Sequence, residues 1–263
     1  PHRQGVPSAG MIRFPAPPPR IIRRLPWVRT PLRRLAKRRA PMGPVRVSVN
    51  DITLDLAPAD NKVDFDVWYK RRFDEAEEYA FLAQHMRPGD LFVDVGANIG
   101  LYTAAVLIAV PGTTALAFEP LAHLRERFRQ NMALNGIDER VELLPHAIGP
   151  RGRMTLYRNA NAGASSLVPT ACALGTEEVD VVPLAETIAA DGPGIGALKV
   201  DVEGFEDQAL LPLLDTFPRE RWPRAIVLET LHCGIWRQNC LLELIKKGYS
   251  LKREPVENAL LAL

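Results

Sequence analysis

Two short stretches of the chain put ionisable side chains where the surrounding pattern would bury them. Leu91-Phe-Val-Asp94-Val95 is an apolar, β-branched run behind the turn signal Pro88-Gly89-Asp90, so it reads as a buried strand with Asp94 near its carboxyl end. Gly96 and Gly100 then bracket the turn Gly96-Ala97-Asn98-Ile99-Gly100, and Leu101 to Val110 continues as an apolar helix. A strand, a glycine turn and a helix present backbone N–H groups to a ligand at the helix amino end. A dinucleotide-binding turn reads Gly-x-Gly-x-x-Gly. Here its middle position is Asn98, which withholds the close backbone approach a pyrophosphate needs. Asp94 suits a ligand with an ammonium or hydroxyl group instead. Glu119, nineteen residues past Gly100, ends the next apolar run and is followed by Pro120. An acid at that point can accept hydrogen bonds from both hydroxyls of a ribose, as it would in an NAD enzyme, and the missing middle glycine counts against the latter.

The second stretch is Lys199-Val-Asp201-Val-Glu203-Gly204-Phe205-Glu206. Its alternation with valine predicts a strand over Ala197–Glu203. Three ionisable groups there are costly unless they pair with one another or serve a site. An internal ion pair of Lys199 with one acid is the structural alternative. His232, just after a strand expected at Ala225–Glu229, joins Asp201 and Glu203 as a candidate proton acceptor. Asp201 with Glu229 offers a carboxylate pair for Mg²⁺, ranked below metal-free chemistry.

These groups need a scaffold. Val45–Val49 and Ile52–Leu56 alternate with period two around Asn50-Asp51 and predict a small hairpin, and Asp74 to Met86 predicts a helix with an acidic first turn. Strands at Ala115–Glu119 and Val141–Pro145 follow the glycine turn, separated by a helix from Leu121 to Leu134, and the third is succeeded by His146-Ala147-Ile148-Gly149. Met154–Tyr157 and Glu178–Val182 flank the polar loop Asn159–Ser166 as an inserted hairpin. A helix at Leu241–Lys247 and strands at Ser250–Lys252 and Ala259–Leu263 complete the pattern. Strands alternating with helices imply a doubly wound, mainly parallel sheet, with ligands beyond the carboxyl ends of its strands.

Composition divides the chain. Residues 1–46 hold twelve Arg or Lys and no acid, leaving 21 basic against 31 acidic residues, a net of −10, in the remainder. We therefore expect a basic Pro/Arg-rich arm over residues 1–44 and a catalytic domain over 45–263. The sequence opens on Pro1, as a fragment would, with Met11 available as an internal start. Ile21, Leu25, Val28, Leu32 and Leu35 fall at the spacing of a membrane-surface helix, but Pro26 and Pro31 interrupt it. A solvated arm is the simpler reading, with weak membrane-surface contact the alternative. The acidic body would repel a nucleic-acid backbone. Cys172, Cys233 and Cys240 are odd in number and lack zinc spacing, which points to a reducing compartment, the cytoplasm.

Leu91-Phe-Val-Asp-Val-Gly-Ala-Asn-Ile-Gly100 resembles motif I of the class I S-adenosylmethionine (SAM) methyltransferases. With Phe118-Glu-Pro120, His146-Ala-Ile-Gly149, Ser165-Ser-Leu167 and Leu198-Lys-Val-Asp-Val-Glu-Gly-Phe-Glu206 in this order, the chain is similar to the FkbM family over about residues 75–263. The resemblance implies a Rossmann-like seven-stranded sheet and O-methylation of a sugar, glycan or polyketide-like natural product, with S-adenosylhomocysteine as product. It implies that Asp94, Gly96, Ala97, Asn98 and Gly100 serve the methionine part of the cofactor, Glu119 and Pro120 its ribose, and His146, Ala147 and Ile148 its adenine. Asp201, Glu203 and Gly204 would meet the sulfonium and the acceptor. Pro183-Leu-Ala-Glu186 departs from the family's usual Thr-Leu-Asp. No Asn/Asp-Pro-Pro-aromatic or Pro-Cys motif is present, and Gly204 stands where metal-dependent catechol enzymes carry Lys. An RNA methyltransferase using the basic arm and a non-catalytic SAM-binding protein are the alternatives.

Overall fold

The structure, a computed structural model, describes residues 33–159, 161–169, 171, 173–253 and 257–263. Cys172 and most of the amphipathic segment expected from Ile21 lie outside the described residues. The chain divides into two units, Pro1–Arg39 and Ala40–Leu263; residues 33–38 of the first are helical. The second unit carries the sheets.

Its main sheet has seven strands: β3 (Leu91–Val95), β4 (Thr114–Phe118), β5 (Val141–Leu144), β9 (Ile195–Val200), β10 (Ala225–Glu229), β11 (Ser250–Arg253) and β12 (Asn258–Ala262). Their order is β11-β12-β10-β9-β3-β4-β5. Only β12 runs against its neighbours. The order reverses between β3 and β9, so the crevice expected of a doubly wound sheet opens there.

Strand alternation fixes which side chains meet. Phe92, Ala115, Ala117, Ala197 and Val227 pack in one apolar cluster, and Val93, Val95, Leu198, Val200, Ile226 and Leu228 in the other. With a period of two, Asp94, Lys199 and Glu229 share the face of the first cluster. Glu119, one residue past β4, continues that face.

Helices α1 (Lys62–Lys70), α2 (Ala76–His85), α3 (Leu101–Ala109), α4 (Ala122–Leu134), α5 (Leu184–Thr187), α6 (Glu206–Thr216) and α7 (Cys240–Lys246) complete the layers. The hairpin β1 (Val45–Val49) and β2 (Ile52–Leu56) docks on α4 through carboxamides: Asn135 accepts from Thr53 N and Asn131 from Asp55 N, at 2.9 and 2.8 Å. The inserted hairpin is larger than expected, with β7 (Gly152–Arg158) and β8 (Gly175–Val182) joined by β6 (Ala147–Ile148).

One element corrects the sequence reading. The strand expected over Ala197–Glu203 ends at Val200, so Asp201 and Glu203 lie beyond it. Glu203 at φ +56° and Gly204 at φ +101° swing the chain out of the sheet. Helices α1, α5 and α6 are additions to the expected set.

Candidate active site

The turn after β3 is tight by construction. Gly96 has φ +81°, and a Cβ there would sit 2.0 Å from the Asp201 carbonyl oxygen. Gly96 N and Ala97 N both donate to Phe118 O, at 3.1 and 2.9 Å. Asn98, at φ +50°, donates its backbone N–H to Glu119 Oε2 at 3.0 Å, while Leu121 N donates to Glu119 Oε1 at 2.8 Å. Glu119 thus anchors the turn and the start of α4. Burial pushes its carboxyl up to about 7, against the pull of those two donors.

Beneath the turn Asp94 is wholly buried. It accepts from Thr103 Oγ1 at 2.7 Å, and its other oxygen is 3.6 Å from Lys199 Nζ. That pair follows from register, since Asp94 and Lys199 are partners across β3 and β9. Lys199 also donates to Gly96 O at 2.6 Å and stands 3.5 Å from Asp201 Oδ2. Burial lowers the affinity of its amine for a proton, but Asp201 and Asp94 more than offset this and hold it above its ordinary value. One buried ammonium therefore joins the glycine turn to the segment after β9. The internal ion pair is present and reaches further than a single acid.

Past β9, Glu203 points back toward β10. Its Oε2 lies 3.2 Å from His232 Nδ1, and Glu229 Oε2 lies 3.5 Å from the same nitrogen. Burial, then Asp201 and Glu206, push Glu203 up to about 8; burial, then Glu206, Asp201 and Glu203, push Glu229 up to about 9. Two carboxyls that hold protons beyond neutrality thus flank one face of an imidazole whose side chain is 42% exposed.

Gly96, Ala97, Asn98, Glu119, Pro120, His146, Ala147, Ile148, Asp201 and Glu203 line a single cavity at the carboxyl ends of these strands. Asp94 and Gly100 lie outside its lining; Gly100, at φ +85°, is pressed against Phe128 and Met132, where a Cβ would fall within 2.9 Å of both. His232 also lies outside the lining, but it meets two lining residues, Glu203 and Glu229. Further lining comes from α1, which the sequence reading leaves unassigned, and from the inserted hairpin, which it places without a role in the site. Lys62 and Val63 start α1, and Asn161 and Ser165 lie in the inserted hairpin. Asn61 Nδ2 donates to Asn98 Oδ1 at 3.0 Å, which ties the start of α1 to the glycine turn, and Lys62 N donates to Asn161 Oδ1 at 3.0 Å, which ties the inserted hairpin to α1. The signal for α1 was Asn61, an N-cap whose side chain accepts from Val63 N.

Among the described residues, no helix is long and apolar enough to cross a membrane. Residues 94–239, more than half of the chain, match the methyltransferase FkbM domain. The 31-O-demethyl-FK506 methyltransferase FkbM of Streptomyces tacrolimicus is 33% identical over 53% of this chain and 64% of its own length. The match therefore spans less than two thirds of that relative. Two solved structures overlay at lower similarity. The O-methyltransferase TomG from Streptomyces achromogenes, in complex with SAM, has 11% identity and a TM-score of 0.42, covering 72% of this chain and 79% of that one. The precorrin-6y C5,15-methyltransferase from Geobacter metallireducens GS-15 has 12% identity and a TM-score of 0.44, covering 72% and 87%. With the domain match running from the buried Asp94 through the Glu203 turn and His232 to the start of α7, the chain belongs to the FkbM family of methyltransferases.

Proposed function

We propose that this chain is a SAM-dependent O-methyltransferase acting on a hydroxyl of a sugar, glycan or polyketide-like natural product. The observation that carries the reading is one cavity joining the Gly96–Gly100 turn and Glu119 to the carboxyls that flank His232.

The residues present fit the cofactor. Each Glu119 oxygen uses one lone pair on a backbone N–H and keeps another for a ribose hydroxyl. A diol donating to Glu119 would also favour its charged form, which burial alone disfavours. Ala97, Asn98 and Pro120 border that acid, and His146, Ala147 and Ile148 supply a wall for the base. Asp94 acts from below by holding Lys199, which in turn holds the Gly96 carbonyl.

When bound, SAM supplies a methyl group already activated as a sulfonium and leaves as S-adenosylhomocysteine. Most of what the protein adds is alignment of the acceptor oxygen with that methyl group. An aliphatic hydroxyl is a weak nucleophile at neutral pH, so its proton must pass to a base. His232 Nδ1 faces Glu203 Oε2 at 3.2 Å; with that carboxyl ionised, an Nδ1–H donated to it would leave Nε2 to take the hydroxyl proton. Asp201, whose Oδ2 faces Lys199, offers Oδ1 as the alternative acceptor, orienting the hydroxyl or taking its proton in place of His232. Metal-free transfer ranks above one assisted by Mg²⁺ on Asp201 and Glu229, because the methyl donor is already activated. Cys233 and Cys240 are free thiols, which suits the reducing cytoplasm.

The test combines calorimetry with labelled SAM and fractionated host extract, the methylated product being identified by mass spectrometry. Glu119→Ala should weaken cofactor binding by about 1–3 kcal/mol through loss of a buried acceptor. His232→Ala and Glu203→Gln should keep cofactor affinity and lose transfer by roughly a hundredfold. Unchanged affinity of Glu119→Ala, or a preference for NAD, would sink the cofactor assignment. Wild-type turnover in the His232 and Glu203 variants would sink the mechanism.

A further inference from the structure

Glu206 is the first residue of α6, fully buried, and outside the cavity's lining. Its carboxylate nevertheless accepts from both turns that build the site. Val202 N donates to Oε1 at 2.9 Å, and Gly204 N bridges Oε1 and Oε2 at 3.1 Å each. These two amides flank Glu203. Trp236 Nε1 donates to Oε2 at 2.6 Å, and Trp236 ends the 3₁₀ turn that begins directly after His232. The next residue, Asp207, accepts from Arg237 N and Gln238 N at 2.9 and 3.0 Å, which pins the same loop.

The held conformation is an unfavourable one. Glu203 is a non-glycine residue in the left-handed region, a geometry that persists only where its surroundings impose it. Ser166 Oγ donates to the Glu203 carbonyl at 2.7 Å from the inserted hairpin, and Glu206 grips the amides on either side. Ile235 closes over Gly204, where a Cβ would come within 2.4 Å of its Cδ1. The 3.2 Å approach of Glu203 to His232 thus depends on two loops from different strands that share one carboxylate.

We propose that Glu206 is a positioning residue that sets the distance between Glu203 and His232, with Trp236 as its link to the histidine loop. The inference rests on the methyl-transfer reading above, in which those two residues carry the proton. Glu206 also contributes negative charge beside Glu203, which faces Asp201, Lys199 and Lys62 as well.

The experiment uses the whole chain with Glu206→Gln and Trp236→Phe. Glu206→Gln keeps the shape and removes the charge. Its SAM affinity should stay within about twofold, while kcat falls by roughly ten- to a hundredfold with acceptor KM little changed. In the free protein, the titration of the Glu203 carboxyl, followed by its ¹³C resonance, should move down by about one pH unit as a negative neighbour is lost. Trp236→Phe keeps the ring and the charge, and should lower kcat by roughly three- to tenfold with the Glu203 titration unmoved. The double variant should be no slower than Glu206→Gln, since one link is being broken twice. If Glu206→Gln fails to fold, Trp236→Phe alone decides, and wild-type kcat there overturns the proposal. A wild-type Glu203 titration and turnover in Glu206→Gln also overturns it. If the wild-type protein transfers no methyl group, the reading of function fails by itself, and the carboxyl titration still judges whether Glu206 governs Glu203.

Discussion

At the scale of single residues, the site is a collection of carboxyls held away from their ordinary behaviour. Glu119, Glu203 and Glu229 are raised to about 7, 8 and 9, burial being the largest cause in each. The sign of the consequence follows from linkage. The folded chain keeps protons that the unfolded chain releases near pH 4.5, so this contribution to stability is complete below that pH and is lost as pH rises through the folded values. The melting temperature should therefore fall between about pH 4.5 and 9, and Glu229→Gln should flatten the upper part of that fall. A scanning-fluorimetry series over this range checks it, and an identical slope in the variant would remove Glu229 from the account. Lys199 stands apart from these three. Its partners Asp94 and Asp201 leave it charged and make it a fixed strut of the turn, so it is unsuited to exchange protons.

At the scale of elements, carboxamides do the work of strand edges. Asn131 is fully buried, accepts from Asp55 N and donates to Ile99 O at 2.9 Å, so one side chain ties the β1–β2 hairpin to the glycine turn. Asn131→Ala should destabilise the protein by about 2–4 kcal/mol, because it leaves two backbone groups without partners. Urea unfolding measures this, and a change below about 0.5 kcal/mol would mean the hairpin is held by its apolar face alone. The elements also explain what the sequence made legible. β3, β4 and β10 were readable because they are short apolar runs between breakers, and the acid just past β4 and the one that ends β10 fall where the sheet puts a ligand. Helix α1 was hidden because Lys62-Val-Asp-Phe-Asp-Val67 alternates like a strand, while burial of Asp64 against Arg127 holds it as a helix. The end of β9 was hidden too. Val202 continues the alternation, and nothing in the identity of Glu203 announces a left-handed residue; that conformation is held by the nearby Glu206 carboxylate and by Ser166, distant in the chain. The roles of individual site residues were legible mainly through family resemblance, whereas Glu206 and Trp236 become visible as links only in three dimensions.

At the scale of the whole molecule, the basic residues before Val45 and the acidic remainder make distinct demands. We expect a chain starting at Pro44 to keep its melting temperature and its cofactor affinity, because the groups assigned to the cofactor all lie beyond that point. Loss of soluble protein on truncation would mean instead that the arm packs on the body. The adjacency of β3 and β9 has a consequence of another kind. Lys199 and Val95 are 104 positions apart in the chain yet meet at the reversal point of the strand order. The local units β3–α3–β4 and β4–α4–β5 close short loops, whereas docking β9 must close a long one first, and such closures slow folding. Until that closure the Asp94 carboxylate has no ammonium and the Gly96 carbonyl has no brace. We expect the site to be completed late: the half of the sheet that carries the glycine turn and Glu119 stays unbraced without β9, so ligand capture should report completion of the fold.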